Sequence, residues 1–184
     1  MFYKNRKNFD VLKILNIFFL FFSVAICSVL MLVRIPGMEL LGINPNWLLI
    51  WLVSWSLAKP VGQGGVAGLI IGWIYDGIAG SNPSHAISFV VVGFCTSTLP
   101  KQKYIGEDFI SVAFIVFFMN ILAETIFALM YSRTYFLTIS EIWHKYQQIS
   151  IVSAIVTSLW SPIFYYPFNL CQRRFKQWEK RIRN

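Results

Sequence analysis

Residues 64–80 read Gly64-Gly65-Val66-Ala67-Gly68-Leu69-Ile70-Ile71-Gly72-Trp73-Ile74-Tyr75-Asp76-Gly77-Ile78-Ala79-Gly80. Gly64, Gly68, Gly72, Asp76 and Gly80 recur every four residues and fall on one helical face. Lipid tails are as apolar as leucine, so helices in a bilayer are joined chiefly by close van der Waals contact at such small-xxx-small rows. The stretch reads as a membrane-embedded packing helix.

The chain around it fits that setting. Of 184 residues 57% are hydrophobic and only 13% charged, and the apolar residues come in blocks rather than with the periodicity of a half-buried soluble element. Six segments stand out, at 12–33, 46–59, 64–80, 84–99, 109–131 and 149–170. They predict an all-α integral membrane domain over 1–170, with six transmembrane helices, followed by a basic tail at 171–184. The second to fourth are short. A helix of about 16 residues covers roughly 24 Å of a hydrocarbon core about 30 Å thick, so these should pack inside the bundle or thin the bilayer. Ile14 to Val33 is too long for a signal-peptide core and no small-x-small cleavage site follows, so it is kept as the first span.

An even number of spans places both termini on one side. Lys4, Arg6, Lys7, Lys13, Lys59, Lys101, Lys103, Arg173, Arg174, Lys176, Lys180, Arg181 and Arg183 then share that side, 13 of the 16 basic residues, leaving Arg34, Arg133 and Lys145 opposite. By the positive-inside rule the shared side is the cytoplasm. The net charge of +8 is thereby explained by lipid rather than nucleic acid, for which no zinc spacing, helix-turn-helix or basic-aromatic sheet motif is present. Two extramembrane stretches predict helices lying on the surface. In 132–148 Phe136, Ile139, Trp143 and Tyr146 recur at helical spacing. In the tail Cys171, Phe175, Trp178 and Ile182 oppose Arg173, Arg174, Lys176, Lys180, Arg181 and Arg183, an interfacial anchor for anionic lipid.

Asn44-Pro45 is read as the cap and first residue of the second helix, on which Trp47, Trp51 and Trp55 form an indole face. Packing or interface anchoring outweighs a ligand-stacking cage there, because tryptophan is enriched at membrane interfaces. Asp76 in the third span, His85 at the start of the fourth, and Asn120 with Glu124 one turn apart in the fifth fall in one half of the membrane, so a shared polar cluster is geometrically open. No serine or cysteine nucleophile stands in an activating arrangement with them, and helix bridging is favoured over catalysis. Two histidines and the scattered Cys27, Cys95 and Cys171 offer neither a metal site nor a disulfide framework, and no cofactor is implied. In the sixth span Ser153, Thr157 and Ser161 make a small polar face ahead of Pro162 and Pro167, where a kink is expected.

Between residues 45 and 89, Pro45-Asn46-Trp47-Leu48-Leu49, Trp55, Lys59-Pro60, Gly65, Gly68-Leu69, Gly72, Asp76-Gly77, Gly80-Ser81 and His85-Ala86-Ile87-Ser88 resemble, in order and spacing, the core pattern of the rod shape-determining protein MreD family. Asn82-Pro83-Ser84 departs from the leucine-glycine turn many members have before the histidine. The resemblance implies a non-enzymatic scaffold of the bacterial cell-elongation machinery in the inner membrane. It implies binding to MreC, through which MreB filaments are coupled to peptidoglycan polymerase and transpeptidase. The helical arrangement it implies is similar to that of the substrate-binding subunits of energy-coupling-factor transporters.

The glycine stripe or the tryptophan face is the expected surface for MreC, with self-association of the chain left open. A second reading is a vitamin-binding transporter subunit with Trp47 and the polar cluster lining a pocket. The first helix argues against it, being rich in phenylalanine (Phe18, Phe19, Phe21, Phe22) with Ala25 alone where those subunits tend to carry an alanine-x-x-x-alanine docking motif. A third reading, an intramembrane enzyme using Asp76 and Glu124, stands last.

Overall fold

The computed structural model describes the backbone at residues 2–33, 35–80, 82–99, 109–136 and 139–183, and the side chains there except at 2–10, 109, 139–146, 176 and 179–183. Arg34, Lys101 and Lys103 lie outside the described residues. So do the side chains of Lys4, Arg6, Lys7, Ile139, Trp143, Lys145, Tyr146, Lys176, Lys180, Arg181, Ile182 and Arg183.

Among the described residues the fold is helical: α1 (Phe2–Leu32), α2 (Trp47–Ser56), α3 (Val61–Ala79), α4 (Ala86–Thr98), α5 (Phe109–Tyr135) and α6 (Ile139–Arg183). Three stretches are long and apolar enough to cross a membrane: Val11–Leu32, Ile110–Tyr135 and Gln147–Phe175. The outward faces carry large apolar side chains, among them Phe18, Phe21, Phe118, Leu159 and Ile163, that in water would form an untenable surface.

The shortest helix is the centre. A helix that is apolar all round has no solvent face and must be enclosed. Trp47 to Ser54 of α2 are all buried, and every other helix touches it. Its start differs from the Asn44-Pro45 reading. Asn46 is the cap, its Oδ1 accepting from the Leu49 N–H at 3.0 Å, with Pro45 one position outside the helix. The Asn46 N–H donates in turn to Thr157 Oγ1 of α6 at 3.0 Å, which ties the entry of the central helix to the wall.

α3 and α4 form a tight antiparallel pair. Gly64, Gly68 and Gly72 lie directly against α4: a methyl group on any of them would collide with Gly93 and Ser97, with Phe89, or with Ala86 respectively. Gly93 answers from α4, where a methyl would strike the Gly64 carbonyl. Gly80 is not a further step of this row. It ends α3 in the left-handed conformation, φ 59°, with its N–H on the Asp76 carbonyl at 2.9 Å, and a Cβ there would meet nothing of α4 within 4 Å.

The last helix is longer than the apolar segment within it. The 132–148 connection is divided between the end of α5 and the start of α6, and residues 171–183 continue α6 without a break. Hydropathy changes at 149 and 170, but no glycine or proline stands at 139–161 or after Pro167, so nothing stops the backbone ladder. At 45 residues α6 is roughly 68 Å long, more than twice the hydrocarbon core, so it extends beyond it. Pro162 and Pro167 both lie inside it. Pro162 has no N–H for the Ser158 carbonyl, and the Ser161 hydroxyl donates to that oxygen at 2.8 Å instead.

Candidate functional site

Of the four intramembrane polar residues, Asp76 and His85 meet directly, while Asn120 is engaged by α6. At the α3–α4 turn Asp76 Oδ1 accepts from the His85 N–H at 2.8 Å and lies 3.0 Å from His85 Nδ1, while Oδ2 accepts from the Ser84 hydroxyl. Ser84 Oγ itself accepts from the Ala86 N–H at 3.1 Å. One carboxylate thus caps the first turn of α4 from α3, where a negative charge meets the positive end of the helix dipole. The imidazole is held between aromatic rings, with Phe127 of α5 stacked at 3.8 Å and Tyr75 of α3 at 4.5 Å. Tyr135 at the end of α5 donates to the Asn82 carbonyl at 3.1 Å and ties the turn down from the other side.

Asn120 and Glu124 lie elsewhere on α5. Asn120 is fully buried and its Nδ2 donates to Ser153 Oγ of α6 at 3.0 Å, an α5–α6 bridge. Glu124, one turn further along α5, is half-buried. Phe127 and Tyr75 thus bring α5 and α3 together on the His85 ring.

Ser84, His85 and Asp76 are the residue types of a hydrolytic triad, but the connectivity is different. In a triad the imidazole stands between serine and carboxylate and takes the serine proton. Here the Ser84 hydroxyl donates to Asp76 directly and the imidazole donates to the same carboxylate, so both groups serve to hold the turn.

The tryptophans are packed against aromatic neighbours, and Trp51 and Trp55 also line a cavity between α1 and α3. Trp47 meets Trp160 of α6 at 6.3 Å, and Trp51 stacks on Trp55 at 5.9 Å and meets Phe168 edge-on at 6.1 Å. Trp51 Nε1 donates to Ser23 of α1 at 2.7 Å, fastening α1 to the centre. Lys59 sits with its ammonium 5.1 Å above the Trp55 ring. The polar face of α6 is used in full: Ser153 on Asn120, Thr157 on Asn46, and Ser161 on the Ser158 carbonyl. In the tail, Phe175 packs against Phe19 of α1 at 5.7 Å and Trp178 lies edge-on to Phe175, with Arg173 and Arg174 exposed beside them. The three cysteines are unpaired, Cys27 within the core.

Sequence reasoning missed Ser84, Gly93, Tyr75 and Phe127. Ala86, Gly93 and Ser97 share a face by their spacing of seven and four, and that row was the signal that α4 answers the glycines of α3. Tyr75 and Phe127 carried no signal, since an aromatic in an apolar helix is ordinary.

Against proteins already known, the family model for rod shape-determining protein MreD matches residues 12–171. The chain belongs to the MreD family. No curated protein and no solved structure matches it. The MreD match takes in α1 from residue 12, the central α2, the α3–α4 pair with its Asp76 turn, and the Asn120–Ser153 bridge, and it ends where the basic tail begins. Membership gives this MreD chain a role in rod shape determination and makes it a structural membrane protein rather than a member of a known enzyme family.

Proposed function

We propose that the protein is a non-enzymatic scaffold of the bacterial cell-elongation machinery, binding MreC and through it helping couple MreB filaments to peptidoglycan polymerase and transpeptidase. The observation that carries this is the family match over 12–171, which spans the whole bundle rather than a single motif. In this reading all six helices belong to one inner-membrane domain at 1–170 with both termini cytoplasmic, supported by the distribution of basic residues. The tail at 171–184 lies at an anionic lipid surface, and the six-helix arrangement is of the transporter-subunit kind. Asp76, His85 and Asn120 support a structural role, each being engaged in joining one helix to another.

The Gly64, Gly68 and Gly72 face is taken up inside the α3–α4 pair, and the Trp47 and Trp51 rings are buried. The surface for the MreC membrane helix is accordingly placed on the outward side of α3, where Leu69 and Trp73 are exposed and a Cβ at Gly65 or Gly77 would meet nothing within 4 Å. Affinity capture from native membranes tests it. MreC is expected to co-purify with the wild-type chain and to fall several-fold with Trp73→Ala at unchanged membrane levels. Capture without MreC would contradict the proposal. Capture unaffected by Trp73→Ala would move the contact to another face.

A further inference from the structure

Between α1 and α3 runs an apolar groove of about 620 Å³ that none of the described residues fills. Ile17, Phe21 and Val24 of α1 form one wall and Val66 and Ile70 of α3 the other, with Trp55 at the floor. From Gly62 to Ile74 the groove follows roughly 18 Å of α3. Its length and apolar lining suit an acyl chain.

Its ends are chemically unlike. Toward Ile74 everything is apolar. At the α2–α3 turn the exposed amide of Gln63 lines the groove, and Lys59 stands with its ammonium over the ring of Trp55. Lys13 is exposed one helical turn before Ile17 and on the same face of α1. The Trp51–Ser23 hydrogen bond fixes the register: one turn further along α2 brings Trp55, and then Lys59, toward the N-terminal end of α1 where Lys13 lies. Gln63 thus lines the end of the apolar groove toward which both lysines lie. We propose that this groove is a binding site for an anionic phospholipid, one acyl chain lying between α1 and α3 and the phosphodiester held by Lys59, Lys13 and Gln63. The lipid completes the wall of the bundle along α1, where the phenylalanine-rich face meets α3.

Native mass spectrometry of the purified full chain in detergent, with phosphatidylglycerol or phosphatidylcholine of identical chains added, tests the site. Phosphatidylglycerol should be retained in preference, and Lys59→Gln and Lys13→Gln should each reduce that preference about fivefold. The basic tail also attracts anionic lipid, so the deciding variant is Val66→Trp, an exposed position from which the indole fills the slot. It should abolish retention while leaving the melting temperature and the tail unchanged. Equal retention of the two lipids would overturn the proposal, as would phosphatidylglycerol retention indifferent to Val66→Trp. So would a crosslink in native membranes from Ile70→Cys to a polypeptide, which would give the groove to a protein partner.

Discussion

Asp76 accepts from the His85 amide, the His85 ring and the Ser84 hydroxyl together, so its removal takes one acceptor from three donors at a half-buried turn. Losing a cap of this kind costs about 1 to 2 kcal/mol, so Asp76→Ala should lower the thermal midpoint in detergent by several degrees. Asp76→Asn keeps an oxygen for the amide and should lose less. Equal losses would mean that the charge, not the acceptor, matters. Asn120 and Ser153 make a single neutral bond between α5 and α6. Interhelical bonds in membranes average about 0.6 kcal/mol, and a double-mutant cycle with Asn120→Ala and Ser153→Ala should return a coupling of that order. Asp76 and Asn120 were legible in the sequence because a polar side chain inside an apolar run is conspicuous. Their partners were not, since Ser84 and Ser153 are ordinary residues whose use is decided by which helix lies opposite.

The α3–α4 pair shows which glycines are needed and which are not. A methyl at Gly68 would meet the Phe89 backbone, which cannot swing aside, whereas a methyl at Gly62 would meet nothing within 4 Å. Gly68→Ala should therefore destabilise the protein by about 1 to 3 kcal/mol, and Gly62→Ala should be neutral or stabilising by a few tenths, through reduced backbone freedom. Chemical unfolding in mixed micelles reads both. A comparable loss from the two would show that α3 does not sit on α4 as described. The four-residue row announced close packing, but not its partner, because any row of small residues fits it. Helix ends were the least legible: the Asn46 cap lay two positions beyond the Asn44 reading, and α6 ran through the hydropathy changes at both its ends. Hydropathy reports where lipid lies, while a helix stops only where a residue breaks its ladder.

At the scale of the molecule, α2 is the residue-poor but contact-rich centre around which the longer helices stand, and its enclosure explains how a helix of 10 residues can belong to a membrane domain. The apolar blocks made the membrane bundle plain from the sequence, and the order of motifs from 45 to 89 made the family plain. Which helix would be central was hidden, since a short apolar run reads equally as a thin span or as a core. The central claim is that the protein determines rod shape as a scaffold, without chemistry at its carboxylates. Cell shape, measured by microscopy after replacing the natural gene with the Asp76→Asn, Glu124→Gln double variant, tests this most directly. The account predicts rods of ordinary width. Round cells, in the presence of normal amounts of the variant with MreC still bound, would contradict it.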